Sequence, residues 1–297
     1  MSINGPLVSI IIPCFNRETL VSETLDSIIS QSYENWECIL VDDRSTDDTY
    51  KILKEYEKKD TRFKAILRNE NQNKGANSCR NIGVSKSKGN FIVFFDSDDL
   101  MTIDHLKIKL ETILSNNYDF AITRTKYFNN PENINPMNYR DLGKVEINAE
   151  NFITKKINWI TFDIIIRSIT AKKIKFTEKN ASAEEYNYFC KLLVLTNNGI
   201  AVENVVSLRR FHVSSIQGSL IQNQNEISTN QWHYYWDTYN EIYKQINKNS
   251  SLFLINNCLE ILFQNKHIKY NKLLFFKALV REKGILKAFN NSFKIKK

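Results

Sequence analysis

The sequence predicts an α/β protein: a mostly parallel sheet with helices on both faces, followed by a helical, basic C-terminal region. Two observations carry this. The first 125 residues alternate short, wholly apolar runs with amphipathic stretches of about 10–15 residues, as buried parallel strands joined by crossover helices do. After Gly218 the strand-like runs stop and the apolar spacing becomes helical.

The elements follow in order. Val8–Ile12 is a β-rich run ended by Pro13, and Thr19–Gln31 is a helix with Leu20, Val21, Leu25, Ile28 and Ile29 at helical spacing. Cys38–Val41 is a strand, Thr49–Tyr56 a helix, Phe63–Leu67 a strand and Ala76–Ser87 a helix. Phe91–Phe95 is the fourth strand and Ile103–Leu114 another amphipathic helix. Asn129–Gly143, rich in Asn and Pro, reads as loop. Ile160–Ile166 and Val205–Phe211 read as strands, Glu184–Leu195 as a helix. Helical patterns at Trp232–Ile246, Leu252–Phe263 and Leu273–Phe293 complete the chain. These patterns suggest a first domain over residues 1–217, in halves 1–104 and 105–217, and a basic helical region over 218–297.

Composition narrows the function. With 297 residues, 42% hydrophobic and 12% aromatic, the chain can bury a real core and does not resemble a disordered protein. The net charge of +8 is unevenly placed: residues 261–297 hold ten Lys/Arg against Glu282 alone, leaving residues 1–260 at −1. A nucleic-acid surface would spread its cations over the body, so nucleic acid is not an expected partner. Five isolated cysteines, with no C-x-x-C pair, argue against a disulfide framework or a zinc site. No signal-peptide pattern starts the chain, and no apolar run approaches the roughly 18–20 residues of a membrane span. A cytoplasmic protein is expected, free or peripheral on the inner face of the membrane.

The chemistry lies at strand ends. Asp96, Ser97, Asp98 and Asp99 directly follow the Phe91–Phe95 strand. Three carboxylates in four residues repel one another unless a cation or a donor-rich ligand sits among them. Hard oxygens on a short turn suit Mg2+ or Mn2+ bridging to a diphosphate; otherwise the turn is a solvated cap, with Asp99 or Thr102 capping the next helix. A second pair, Asp42 and Asp43, ends the Cys38–Val41 strand, leaving one carboxylate for a base N–H or a ribose hydroxyl. Both clusters fall on the carboxyl edge of the sheet, where open α/β sheets bind ligands.

Five blocks together resemble family 2 glycosyltransferases over residues 7–104: Val8 to Arg17, Leu25 to Ile28 with Gln31 to Tyr33, Val41 to Thr49, Asn73 to Ala76 with Arg80 to Gly83, and Phe95 to Asp99. The resemblance implies a GT-A fold, Rossmann-like in its first half, and inverting transfer of a sugar from a nucleotide-sugar donor. It places Pro13, Phe15, Asn16, Asp43, Arg80, Asp96, Ser97 and Arg210 at the donor, with Phe15 against the base and Asp43 bonded to it. Asp96 and Asp98, with His212, would hold the metal. Glu185, or its neighbour Glu184, stands where the family starts a helix with its catalytic base, usually an Asp. Arg210, His212 and Ser215 resemble a segment that closes over the diphosphate.

No Gln-x-x-Arg-Trp follows this half, and there is no dinucleotide glycine pattern or Walker A loop. A processive synthase and a phosphoryl donor are therefore disfavoured. The expectation is one sugar, from a UDP-sugar, moved to a glycan or lipid-linked oligosaccharide in surface polysaccharide synthesis. The alternative is a catalytically silent nucleotide-sugar-binding or scaffold protein, as Glu in place of Asp could signal. In the tail, Phe275, Leu279, Leu286, Phe289 and Phe293 approximate one stripe beside Lys272, Lys283, Lys287 and Lys294. Such a helix either lies on an anionic membrane or packs on the protein.

Overall fold

A computed structural model describes residues 5–129, 137–178, 184–211 and 224–288. The chain divides into two compact units where the sequence reading drew one boundary near Gly218. The first comprises Met1–Val145, Asn158–Lys179 and Asn198–Phe211; the second comprises Glu146–Ile157, Asn180–Asn197 and His212–Lys297.

The first unit carries a sheet of strands β1 (Val8–Cys14), β2 (Trp36–Asp42), β3 (Phe63–Leu67), β4 (Phe91–Phe94), β5 (Leu100–Met101), β6 (Phe120–Phe128), β7 (Ile164–Arg167) and β8 (Gly199–Arg210). Their order is β3-β2-β1-β4-β7-β6-β8-β5. The first four pair in parallel, so all their carboxyl ends reach one edge. Helices α1 (Val21–Ile29), α2 (Thr49–Lys59) and α3 (Ala76–Lys86) connect them, and α4 (His105–Leu114) follows β5. Every residue of β1 except Pro13, and all of β4, is buried, which is why these strands read as unbroken apolar runs. Pro13 continues β1 rather than ending it. Ile11 O accepts from Phe95 N and Cys14 O faces Asp43 N, so Pro13 faces the β4 side beyond the last ladder pair, where no N–H is needed.

The rest of the sheet is mixed: β7 is antiparallel to β4 and β6, β5 is antiparallel to β8, and β6 runs parallel to β8. The expected strand at Ile160–Ile166 begins instead with a single 3-10 turn, Thr161–Asp163, before β7. The β6 strand had no counterpart in the sequence reading because Thr123, Arg124 and Thr125 interrupt its apolar run. All three are buried. Thr123 and Thr125 donate to Asp163, at 3.0 and 2.6 Å, and Arg124 Nη2 donates to Leu142 O at 2.9 Å. Short helix α6 (Ser168–Ala171) follows β7.

Among the described residues the second unit is helical, with α5 (Ala149–Ile153), α7 (Glu184–Leu195), α8 (Gln224–Ile242), α9 (Lys248–Gln264) and α10 (Lys272–Lys283). Asn148, Asn247 and Asn271 start α5, α9 and α10 by accepting from Asn151 N, Ser250 N and Leu274 N. The core is aromatic: Trp232, Trp236 and Phe275 cluster with centroids 5.2–6.2 Å apart. Phe275 and Leu279 are therefore core residues of α10, not members of one exposed stripe. Gly284, at φ +82°, breaks the helix before the exposed Leu286. Phe289 and Phe293 lie outside the described residues. All five cysteines are free and buried.

Candidate active site

The parallel strands place four loops at one edge of the first unit. The chain leaves β1 toward β2 and β3, then returns to add β4 on the other side of β1. This strand-order switch opens a crevice beyond the carboxyl ends of β1 and β4. Phe15, Asn16 and Arg17 enter it from β1, and Asp96, Ser97, Asp98 and Asp99 from β4.

Asn16 sits at φ +50°, which an Asn tolerates in a turn. Its backbone N donates to Ser45 Oγ at 3.0 Å, and its Oδ1 accepts from Thr46 N at 2.9 Å, tying the loop after β1 to the loop after β2. Phe15 is 38% exposed, with Lys74 Nζ lying 4.6 Å from its ring centroid.

Neither acid of the Asp42–Asp43 pair is free of protein partners, contrary to expectation. Asp42 is fully buried and accepts from Ser45 N at 2.8 Å and Ser45 Oγ at 2.6 Å. Asp43 takes a hydrogen bond from Arg68 Nε on one oxygen and from Gly75 N, at 2.9 Å, on the other. Arg68 Nη1 also donates to Asn69 O and Gln72 O, shaping the loop that leads into α3. Gly75 begins α3 at φ +117°, a conformation that favours glycine.

On α3, Arg80 is buried rather than a surface cation, and its Nη2 donates to Asp96 Oδ1 at 3.0 Å. Gly83, one turn on, lets the helix lie close to β1: an added Cβ would sit 2.3 Å from Ile11 Cγ2.

The acidic turn is gripped from three directions. Arg17 Nε lies 3.3 Å from Asp98 Oδ2. From the end of β8, Arg210 N donates to Asp99 Oδ1 at 2.8 Å, and Arg210 Nε donates to Asp98 O at 3.0 Å. Arg210 Nη2 continues to Glu23 on α1 at 2.8 Å. Asp99 therefore secures β8 rather than capping a helix, and Thr102 Oγ1 donates to Val206 O at 3.1 Å. Burial, then the charges of Asp96 and Asp98, push the Asp99 carboxyl well above the usual range. Asp96 and Asp98 stay partly open, at 29% and 17% side-chain exposure. Among the described residues, no three His, Cys, Asp or Glu side chains converge as a ready metal site. Two adjacent carboxylates do fit a hard cation that also takes phosphate oxygens, because Mg2+ commonly binds by one or two carboxylates plus substrate phosphates.

The structure thus brings together Pro13, Phe15, Asn16, Asp43, Arg80, Asp96, Ser97, Asp98 and Arg210 in one unit. Glu185 belongs to the second unit, on the first turn of α7, with Tyr188, Phe189, Leu192 and Leu193 buried along the helix. His212 and Ser215 lie outside the described residues, as does the side chain of Glu184. Sequence reasoning missed Arg68 and the pairing of Arg17. The available signal for Arg68 was its place directly after β3, on the edge that already held the acidic clusters.

The fold and this edge define the class: a GT-A fold of the kind that handles nucleotide-sugars. The model of the glycosyl transferase family 2 matches residues 9–174, and the chain belongs to that family. It is 34% identical over 199 residues to an uncharacterized glycosyltransferase of Haemophilus influenzae, covering 64% of this chain and 73% of that one. It is 39% identical over 125 residues to WfgD of Escherichia coli, named a UDP-Glc:alpha-D-GlcNAc-diphosphoundecaprenol beta-1,3-glucosyltransferase, covering 42% of this chain. The match spans 47% of that relative and 46% of one from Bacillus subtilis, about half their lengths. Among solved structures, TarS 1-349 of S. aureus in complex with UDP-GlcNAc superposes with a TM-score of 0.61, at 19% identity over 97% of this chain and 91% of that chain.

Proposed function

We propose that the protein is an inverting glycosyltransferase that moves one sugar from a UDP-sugar to a glycan or lipid-linked oligosaccharide in bacterial surface polysaccharide synthesis. The observation that carries this is the crevice at the β1/β4 switch, where Asp96 and Asp98 remain partly open among arginines. The Escherichia coli relative, by its name, uses a UDP-sugar and a diphospholipid-linked acceptor, which supports both substrate classes.

Mn2+ or Mg2+ held by Asp98 and Asp96 would offset charge on the departing nucleotide diphosphate. The exposed face of Phe15 offers a surface for the base. Arg80 and Arg210 line the diphosphate side, and Asn16 ties the loop after β1 to the loop after β2. Glu185 takes the proton of the acceptor hydroxyl while its oxygen forms the new bond to the anomeric carbon. The bond from that carbon to the diphosphate oxygen breaks in the same displacement, and its electron pair leaves with the nucleotide.

Donor turnover and transfer measured for Asp98→Ala and Glu185→Gln test this reading. Loss of a general base lowers the rate by about 10^2–10^4-fold, so Glu185→Gln should retain nucleotide binding and lose transfer to that extent. Unchanged transfer in either variant removes that residue from the mechanism.

Among the described residues no helix is long and apolar enough to cross a membrane. A peripheral, cytoplasmic-face location rests on the tail, where Leu273, Leu274, Ile285 and Leu286 are exposed among lysines. Replacing the exposed Leu273, Leu274, Ile285 and Leu286 with Ser should weaken binding to anionic liposomes, and binding equal to wild type rules the membrane role out.

A further inference from the structure

The second unit holds a cavity of about 440 Å3 of its own, whereas the crevice beyond β1 and β4 belongs to the first unit. Its walls come from the start of α5, the last turn of α7 and the segment that leads from residue 245 into α9. The volume falls within the range of about 300–1,000 Å3 that small-molecule clefts take. Glu185 stands at the other end of α7, about 15 Å away along an axis that rises 1.5 Å per residue.

The lining is selective. Ser250 is 1% exposed and lines the cavity, and its hydroxyl makes no hydrogen bond among the described residues. Such a hydroxyl has given up water without replacement and gains when a ligand supplies a partner. The side-chain amides of Asn197 and Gln245 are exposed and likewise make no hydrogen bond among the described residues. Asn148 and Asn247 are fixed: the side-chain oxygen of each caps a helix, while their nitrogens donate to Glu146 and Glu150. Among the described residues of the lining, Glu150 alone carries a charge. Its two oxygens offer about four acceptor positions, of which Asn247 and Asn249 take two.

These groups decide between ligand classes. A carboxylate with no cation in the lining repels phosphates, nucleotides and uronic acids. A purely apolar ligand would leave the amides and the serine hydroxyl unpaired. A neutral sugar suits both, because each of its hydroxyls donates and accepts. The carboxylate takes hydroxyl protons, the amides do both, and Leu195 and Ile246 offer carbon surface to the C–H face of a ring. We propose that this cavity is a carbohydrate-binding site for a short neutral segment of a glycan, apart from the site of transfer. The site goes beyond the reading of the donor crevice and does not depend on it.

Saturation-transfer difference NMR on the full chain tests it. Cellobiose, lactose and N,N′-diacetylchitobiose are the neutral probes, and glucuronic acid is the charged one. At least one neutral disaccharide should show the effect, and glucuronic acid should show less. Each lost hydrogen bond weakens binding by about 2–12-fold, so Asn197→Ala/Gln245→Ala should raise the dissociation constant by about 10-fold or more. That double variant changes two exposed side chains without partners, so its fold is not at risk. Ala149→Trp, checked for folding by circular dichroism, adds bulk to the wall and should abolish the effect. Glu150→Gln should narrow the preference for the neutral probe over glucuronic acid. Asp98→Ala and Glu185→Gln should bind the probe as wild type does. No effect with any neutral probe overturns the site, as does an effect unchanged in both the double variant and Ala149→Trp. Equal binding of glucuronic acid overturns it too, and so does loss of the effect in Glu185→Gln, which would put the sugar at the transfer site. Absent sugar transfer with retained probe binding would instead sink the transferase reading and leave this site standing.

Discussion

Asp43→Asn separates the structural role of this acid from any direct part in binding. Its side chain and that of Arg68 are 6% and 5% exposed, and the two are hydrogen-bonded in a space closed to water. Removing one partner of a buried ion pair costs about 3–5 kcal/mol, because the other charge stays buried and uncompensated. Asparagine keeps one acceptor for either Arg68 Nε or Gly75 N but not for both, so the cost should sit near the lower end, about 3 kcal/mol. For a domain of this size that corresponds to a fall of roughly 6–12 °C in the melting of the first unit. Thermal unfolding of nucleotide-free protein, followed by circular dichroism, reads it. The decisive comparison is the double variant Asp43→Asn/Arg68→Met. With both charges gone, its destabilisation should fall short of the sum of the two single variants by about 0.5–3 kcal/mol. Additive losses would show that the pair is not coupled and that the acid is held by something else.

Gly83→Ala should destabilise by about 1–3 kcal/mol in chemical denaturation, since its methyl would sit 2.3 Å from Ile11 Cγ2; combined with Ile11→Ala the loss should be smaller than the sum, the new methyl occupying the vacated space. Lys109 is fully buried on α4, where it donates to Phe162 O at 2.7 Å, and burial lowers its pKa to about 7. Between pH 7 and about 10 the unfolded chain binds a proton that the native chain has shed, so this residue adds stability as pH rises through that range. Lys109→Met should therefore gain most over wild type at pH 7 and lose the advantage by pH 10. A pH-independent difference in melting temperature would refute that assignment. The neighbouring Asp163 moves the other way, its pKa raised to about 6 chiefly by burial, so its contribution falls as pH climbs from about 4 to 6.

What was legible depended on whether a residue's partners were local. Strands β1 and β4 could be read because both faces are covered and their residues are mostly apolar. The acidic turn could be read because its chemistry is contiguous in sequence. The strand β6 could not, since Thr123, Thr125 and Arg124 look like surface residues until Asp163, Leu142 and Glu203 are brought beside them. Arg68 is anonymous in sequence for the same reason: it acquires meaning when β3 ends next to Asp43. The tail's periodicity left two readings open. Phe275 and Leu279 do repeat at helical spacing, but that spacing marks a face packed on Trp232 and Trp236 as readily as one facing lipid.

Three carboxylates in four residues demand compensation, and the protein supplies part of it from its own chain. Arg80 comes from α3, Arg17 from the end of β1, and Arg210 from the end of β8; each reaches a different part of the Asp96–Asp99 turn. The turn can therefore fold in its final place before any ligand arrives, which electrostatic preorganisation requires. The same arrangement puts guanidinium groups beside the acids at the crevice beyond β1 and β4. The near-zero net charge of residues 1–260 therefore hides a local concentration of opposed charges at this edge, three acids in four residues with Arg17, Arg80 and Arg210 beside them.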